Sequence, residues 1–261
     1  MMAEVGNSPA PTWVHTYRPR ADAGVNLICL PHAGGSPSFY RDWGDRLPDG
    51  EEFHVVRYPG RENRLAEPCI LSMTELADAV TEVLRPFFGR PTVLFGHSMG
   101  ASLMYEVAKR SEAAGRRPVF LIASGHPAPH RREPKILHRS SDRDLIAELR
   151  RHAGSGHAAL DNPDLRDLLL PMIRADYQLI ETYEPENLDP VHAPLAVFRG
   201  AQDEDVSEAQ AEAWAEVTKT GRLHSHLVFD GRHFYLAERQ REVLAALSAQ
   251  IGALGPVQEF A

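Results

Sequence analysis

Short apolar runs alternate with helical stretches along most of this chain of 261 residues. The runs that predict strands are Val25–Leu30, Phe53–Tyr58, Thr92–Phe95, Val119–Ala123, Pro194–Phe198 and His226–Phe229, with a short edge strand near Trp13–Tyr17. The predicted helices are Ser72–Phe88, Ala101–Arg110, Glu208–Val217 and Leu236–Leu254. Strands that alternate with helices build a mostly parallel sheet covered on both faces. The sequence therefore predicts an α/β fold with a mostly parallel central sheet.

The interval from about Pro127 to Pro190 interrupts this alternation, because its helical patterns have no strand between them. Asn162 and Pro163 are typical of a helix start, as N-cap and first helical residue. Pro171 should kink or split the helix that follows. We expect one domain over residues 1–261 with residues 127–190 inserted into it.

Composition narrows the class of protein. The formal net charge is -8 with no concentrated basic stripe, which disfavours a nucleic-acid binder. No apolar run approaches the roughly 20 residues of a membrane span, and no signal peptide is evident. The two cysteines are too few for a disulfide scaffold. We expect a cytoplasmic protein that binds neither membranes nor nucleic acid.

The chemically informative motif is Gly96-His97-Ser98-Met99-Gly100, which lies between a predicted strand and a predicted helix. A G-x-S-x-G pattern in this setting is typical of a serine nucleophile on a sharp strand-to-helix turn. Glycines flank the serine because a Cβ atom at either position would clash. The alternative is a tight turn with a capping serine. We predict that Ser98 is a nucleophile.

A serine nucleophile needs a base, and in this arrangement the acid and the histidine follow the serine in that order. Among 13 histidines, His233 is best placed, between the last strand and the closing helix. Asp203, Glu204 and Asp205 compete as the acid in the loop before that strand. We favour Asp203, which follows the strand in a G-x-x-D turn, with Asp205 as the runner-up.

Two backbone amides should bind the oxyanion that forms in the transition state. The residue after the nucleophile, Met99, supplies one. The glycine-rich loop after the first buried strand supplies the other, which we assign to Ala33, with His32 as a residue that shapes the loop. The sequence holds no C-x-x-C pair, H-E-x-x-H, Walker loop or G-x-G-x-x-G, so we expect neither a metal nor a cofactor.

Four motifs together make the pattern specific: Leu30–Ser36 (LPHAGGS), Tyr58–Glu62 (YPGRE), Phe95–Ala101 (FGHSMGA) and Gly231–Phe234 (GRHF). In this order and spacing the chain resembles the type II thioesterases of polyketide synthase and nonribosomal peptide synthetase systems, from about Val25 to Leu254. Arg232 departs from the glycine that more often precedes the family's last histidine, and the change could alter entry to the site.

The resemblance implies an α/β-hydrolase fold with a helical lid, and a serine hydrolase that frees carrier proteins from aberrant or stalled acyl groups in antibiotic biosynthesis. The acyl group would be carried on the phosphopantetheine arm of an acyl or peptidyl carrier protein. The family's nucleophile, acid and base correspond to Ser98, Asp203 and His233, and its oxyanion donors to Ala33 and Met99. The implied protein needs no cofactor, acts on small acyl groups and is a monomer.

The resemblance implies that residues 127–190 form the lid. Its apolar positions Leu168, Leu169, Met172 and Ile173, together with Leu179, would line an acyl chamber, or would simply pack the lid onto the core. A basic cluster formed by Arg131, Arg132, Lys135 and Arg139 is a candidate docking patch for an acidic carrier protein, although a solvated face is the favoured reading.

Other activities remain open from the sequence. The same triad would serve a chain-releasing medium-chain fatty acyl thioesterase or a general esterase, because esters and thioesters share the tetrahedral path. A non-catalytic homologue that binds carrier proteins is the alternative of another class. The filled triad positions favour an enzyme.

Overall fold

The computed structural model describes residues 13–153 and 161–254. Seven strands form one sheet in the order β1-β3-β2-β4-β5-β6-β7. Their bounds are β1 Val14–Thr16, β2 Val25–Leu30, β3 Glu51–Val56, β4 Thr92–His97, β5 Phe120–Ser124, β6 Leu195–Gly200 and β7 Ser225–Phe229. Only β1 is antiparallel to its neighbour, and all other pairs are parallel. The predicted mostly parallel α/β sheet is confirmed.

Helices cover both faces of the sheet. The α-helices are α1 Trp43–Arg46, α2 Met73–Leu84, α3 Met99–Ala113, α4 Asp142–Ala153, α5 Pro163–Glu181, α6 Glu208–Glu212, α7 Tyr235–Glu238 and α8 Gln240–Gly252. Short 3₁₀ helices span Pro37–Tyr40, Glu62–Arg64, Arg85–Gly89, Pro129–Arg131, Leu137–Arg139 and Ala213–Val217. None of the helices in the described ranges combines the length and apolar character needed to cross a lipid bilayer.

Two apolar cores lie on opposite faces of the sheet. One joins α2 and α3 to the sheet around Val80, Leu94 and Met104, and the other joins α1 and α8 to it around Trp43, Phe95 and Leu247. The side chains of successive strand residues point to opposite faces, so Leu94 and Phe95 belong to different cores. The strand β4 is therefore buried from both sides, and the turn at its end has a rigid base.

The segment between β5 and β6 is helical in its described part, as the sequence predicted. It contains α4 and α5, which share a small core of Leu145, Leu149, Leu170, Met172 and Ile173. The helix α5 begins at Asn162, whose side chain accepts from the amides of Asp164 and Leu165. It continues to Glu181 without a break at Pro171, so the proline does not split the helix.

Candidate active site

All the candidate catalytic residues follow the carboxyl ends of parallel strands. Ser98 follows β4, Asp203 follows β6 and His233 follows β7, while Ala33 follows β2. In a parallel sheet these strand ends meet at one edge. The same edge carries a cavity of about 250 Å³, whose wall includes Ala33, Ser98, Met99 and His233.

Ser98 lies on a strained turn. Its backbone has φ 54° and ψ −124°, a conformation that non-glycine residues rarely adopt. The structure also shows why glycines flank it. A Cβ atom on Gly96 would lie 2.1 Å from the carbonyl oxygen of Gly100, and one on Gly100 would lie 2.0 Å from that of Leu30. The turn thus holds the serine at the cavity wall, at the amino end of α3.

His233 and Asp203 form a buried pair. Nδ1 of His233 donates to Oδ2 of Asp203 over 3.0 Å, since a carboxylate can only accept. The second carboxylate oxygen of Asp203 accepts from the amide of Asp205 at 3.1 Å. This pairing fixes the tautomer of the imidazole and leaves its Nε2 as the nitrogen able to take a proton.

The backbone amides of Ala33 and Met99 have no hydrogen-bond partner among the described residues, and both residues line the cavity. Neighbouring amides are already used: Gly34 donates to Asp176 at 2.7 Å, and Ser98 donates to the carbonyl oxygen of Ser124 at 2.8 Å. Free amides that face one cavity can stabilise a negative oxygen within it.

A second histidine lies beneath the site. His97 is fully buried and its ring centroid is 5.1 Å from that of His233. Burial, together with the nearby His233, lowers the pKa of His97 well below its usual value, so its ring is neutral. It bonds Ser124 at 2.9 Å, which in turn bonds the hydroxyl of Tyr235 at 2.5 Å. Sequence reasoning missed this support, because the three residues are far apart in the chain.

Asp205, the alternative acid, is engaged elsewhere. Its carboxylate pairs with Lys135 at 2.8 Å, with Arg151 at 3.0 Å and with His152. Burial alone would raise the pKa of Asp205, but the hydrogen bond from His152 and the charge of Lys135 outweigh it and hold that pKa far below its usual range. Asp205 therefore links the loop after β6 to α4, whereas the bond to His233 comes from Asp203.

The apolar side of the cavity comes from the helical segment between β5 and β6. Leu149 of α4 and Leu169, Ile173, Tyr177 and Ile180 of α5 line it. Of the four α5 residues predicted to bind substrate, Leu169 and Ile173 thus lie at the cavity.

The other two face elsewhere. Leu168 is 48% exposed, and Met172 is buried in the core between α4 and α5. The division follows helical geometry, in which residues 169, 173 and 177 share a face and residue 168 does not. Leu179, also a candidate, is buried in the main core.

The basic cluster is largely engaged within the chain. Arg131 pairs with Glu216 at 3.1 Å, and the guanidinium of Arg132 bonds the carbonyl oxygens of Ile180 and Tyr183. Lys135 pairs with Asp205. Nε of Arg139 donates to His138 at 3.1 Å, so each of the four basic side chains has a partner within the chain.

Within the part of the chain that the structure describes, two groups of three side chains have ligand atoms within 4.8 Å of one another: Asp203, Asp205 and His233, and Glu148, His152 and Asp205. Lys135 and Arg151 already neutralise Asp205, and Arg151 also neutralises Glu148. The chemistry that the site supports without a metal is nucleophilic attack by Ser98 with His233 as base.

Comparison with known proteins identifies the family of this chain. The family model of the thioesterase domain matches residues 25–251. The chain is 34% identical over 239 residues to the thioesterase PikA5 of Streptomyces venezuelae, covering 90% of this chain and 84% of that protein. It is 39% identical over 229 residues to a probable cadicidin biosynthesis thioesterase of Streptomyces griseus, covering 88% of this chain but only 63% of that protein.

Solved structures give the same result. The type II thioesterase BorB from the borrelidin biosynthetic cluster superimposes with a TM-score of 0.84 at 37% identity, over 93% of this chain and 99% of that one. YbtT, a type II thioesterase of the yersiniabactin pathway, has a TM-score of 0.84 at 29% identity, over 94% and 100%. The chain belongs to the thioesterase family, among the type II thioesterases of polyketide and nonribosomal peptide biosynthesis.

Proposed function

We propose that this protein hydrolyses acyl thioesters from the phosphopantetheine arm of carrier proteins, and so frees a polyketide or nonribosomal peptide assembly line from aberrant or stalled acyl groups. The observation that carries the proposal is the convergence at one cavity of Ser98, of the His233–Asp203 pair and of two free amides. Relatives named for polyketide and peptide pathways supply the substrate class.

The reaction would proceed in two halves. Nε2 of His233 takes the proton of Ser98 as the hydroxyl oxygen attacks the thioester carbonyl, while the amides of Ala33 and Met99 bind the oxyanion. The carbon–sulfur bond then breaks, and the protonated His233 gives its proton to the pantetheine sulfur. His233 then takes a proton from water as the water oxygen attacks the acyl-serine carbonyl. The bond between the acyl carbon and Ser98 Oγ breaks, His233 gives its proton back to Ser98, and the free acid leaves.

We propose that residues 127–190 form a lid on a single domain. Support comes from the position of α4 and α5 between β5 and β6, and from their apolar side chains in the cavity wall. The cavity of about 250 Å³ suits a small or medium acyl group. We propose an acyl or peptidyl carrier protein as the partner and a monomer as the working form.

The test is hydrolysis of a panel of acyl-carrier proteins by the wild-type protein and by S98A. We expect the wild type to release the acids and S98A to lose at least about 10³-fold in kcat, because an activated nucleophile is removed. Intact-mass analysis after a fluorophosphonate treatment should show one adduct on the wild type and none on S98A. An adduct on S98A would refute the nucleophile.

Two further substrates separate the related activities. Acyl-coenzyme A and a nitrophenyl ester should be poorer substrates than acyl-carrier protein, as measured by kcat/KM. Preference for the ester would indicate a general esterase, and release of only full-length fatty acyl chains would indicate a chain-releasing enzyme. Binding of carrier protein without turnover of any substrate would indicate a non-catalytic homologue and overturn the proposal.

A further inference from the structure

A buried carboxylate joins the helix α5 to the loop that follows β2. Asp176 of α5 is only 3% exposed, and its two oxygens have different partners. Oδ2 accepts from the amide of Gly34 at 2.7 Å, and Oδ1 accepts from Nη2 of Arg61 at 2.8 Å. The catalytic mechanism uses neither Asp176 nor Arg61, so their burial needs another explanation.

Arg61 extends the link to the rest of the loop. Its Nη1 donates to the carbonyl oxygen of Gly35 at 2.7 Å, and its guanidinium lies 4.9 Å from the centre of the Tyr58 ring. The hydroxyl of Tyr58 donates to the carbonyl oxygen of Pro31 at 3.1 Å. The loop from Pro31 to Gly35 is thus fixed at both ends by buried side chains.

This fixation bears directly on the amide of Ala33. The Gly34 nitrogen lies in the same rigid peptide plane as the Ala33 carbonyl. The bond to Asp176 therefore fixes the peptide plane between Ala33 and Gly34. The direction of the Ala33 N–H relative to that plane depends only on φ and ψ of Ala33. Gly34 itself has φ +75°, and a Cβ there would lie 3.0 Å from Ile173, so α5 packs closely against the loop.

The contact between α5 and the loop after β2 is a buried ion pair, and this bears on its role. Burying two charges costs desolvation energy, and an apolar contact of similar volume would often be as stable. What the charged pair adds is direction, since the two groups share one hydrogen bond and each forms a further hydrogen bond to the loop, Asp176 with the Gly34 amide and Arg61 with the Gly35 carbonyl. The pair is therefore suited to orienting a backbone segment.

We propose that Asp176 and Arg61 are positioning residues that hold the Ala33 amide in the oxyanion hole, so that α5 sets the geometry of the hole. The same helix carries Ile173 and Tyr177 in the cavity wall. One element therefore contacts the acyl group and orients the donor that stabilises its transition state. This inference rests on the proposed thioester hydrolysis.

The test compares D176N and D176A with a matched control, E106Q. Glu106 is also buried in an ion pair, with Lys109 at 2.9 Å and with Arg110, and it accepts from the Tyr183 hydroxyl at 2.6 Å, but it does not line the cavity. All three variants should unfold at lower temperature. Only the Asp176 variants should lose turnover.

We expect kcat for acyl-carrier protein to fall about 10-fold in D176N, which keeps an oxygen for the Gly34 amide, and about 100-fold in D176A. KM should stay within threefold of wild type, because an oxyanion donor acts in the transition state. The inhibition constant of an alkyl boronic acid, which forms a tetrahedral adduct on serine, should rise in parallel with the loss of kcat.

Unchanged kcat in both Asp176 variants would overturn the inference, as would a loss matched by E106Q or a change confined to KM. If D176A fails to fold, D176N against E106Q still decides. Wild-type protein is assayed first, so that a wild type without thioesterase activity refutes the proposed function, whereas an active wild type with unaffected Asp176 variants refutes only the positioning role.

Discussion

At the scale of single residues, two aspartates of the loop after β6 differ in the side chains that they contact. Asp203 bonds His233, and Asp205 contacts Lys135, Arg151 and His152. We predict that D203N lowers kcat about 10⁴-fold, because the amide can stabilise the wrong tautomer of the imidazole. D205N should lower it less than about 10-fold.

Steady-state kinetics on acyl-carrier protein measures both variants, with circular dichroism as the check on folding. If D205N were the more damaging substitution, the acid would have to be reassigned to Asp205. The sequence left this choice open because both residues lie in one short loop. The backbone path of the loop distinguishes the two residues. The amide of Asp205 donates to Asp203, and the carboxylate of Asp205 pairs with Arg151 of α4.

Local sequence motifs predicted some residues of the site, whereas other residues of the site carry no such motif and could not be predicted. Gly96 and Gly100 identify the turn at Ser98 because they belong to a local motif, and the clash that Gly96 avoids, with the carbonyl oxygen of Gly100, lies within that motif. Arg61 and Asp176 lie 115 positions apart in the sequence, and neither carries a local signal of the contact. A buried ion pair between distant elements depends on how those elements pack, which a single sequence does not specify.

At the scale of elements, strand positions followed from local patterns to within about two residues, since apolar runs and turn residues act locally. The helix α5 shows the limit of such reasoning. Pro171 cannot donate to the carbonyl of Asp167. Both residues lie on the exposed face of the helix, where water can bond the free carbonyl, and the helix continues.

The two faces of α5 allow a matched test of the acyl chamber. I173W places a large ring in the cavity, whereas L168W places the same ring on the exposed face. We predict that I173W lowers kcat/KM for an octanoyl-carrier protein about 10- to 100-fold, because a few methylene groups of about 0.8 kcal/mol each lose their site. Acetyl-carrier protein, which lacks those methylene groups, should be affected less than the octanoyl substrate.

The ratio of octanoyl to acetyl kcat/KM is the measurement, because a general loss of folded protein cancels in it. L168W should keep the wild-type ratio. Equal ratios in I173W and wild type would mean that the acyl chain lies elsewhere, and a change in L168W would mean that the outer face of α5 contacts substrate.

At the scale of the whole molecule, buried histidines make stability depend on pH. His54 of β3 is 3% exposed and bonds the Thr16 hydroxyl at 2.8 Å and the Asn26 side chain at 3.3 Å. Burial, with the charge of Arg90, outweighs the nearby Glu52 and lowers the pKa of His54 from 6.5 to about 4. Burial likewise lowers the pKa of His126 to about 3.

A histidine whose pKa is lower in the folded state is protonated first in the unfolded chain. The unfolded state therefore binds more protons between pH 6.5 and 4, and the free energy of unfolding falls as the pH falls through this window. From pH 7 to pH 5, His54 alone should remove about 2 kcal/mol of stability. Carboxylates with lowered pKa values contribute mainly below this range.

We predict that H54Q, which does not titrate, reduces the loss of stability between pH 7 and pH 5 by about 2 kcal/mol, whatever its effect on stability at pH 7. Urea unfolding at a series of pH values measures the slope, and we expect part of the remaining slope in H54Q to come from His97 and His126, whose pKa values are also lowered. An unchanged slope would show that His54 is protonated equally in both states. Because His54 lies in the sheet and not at the cavity, kcat of H54Q at pH 7 should match wild type.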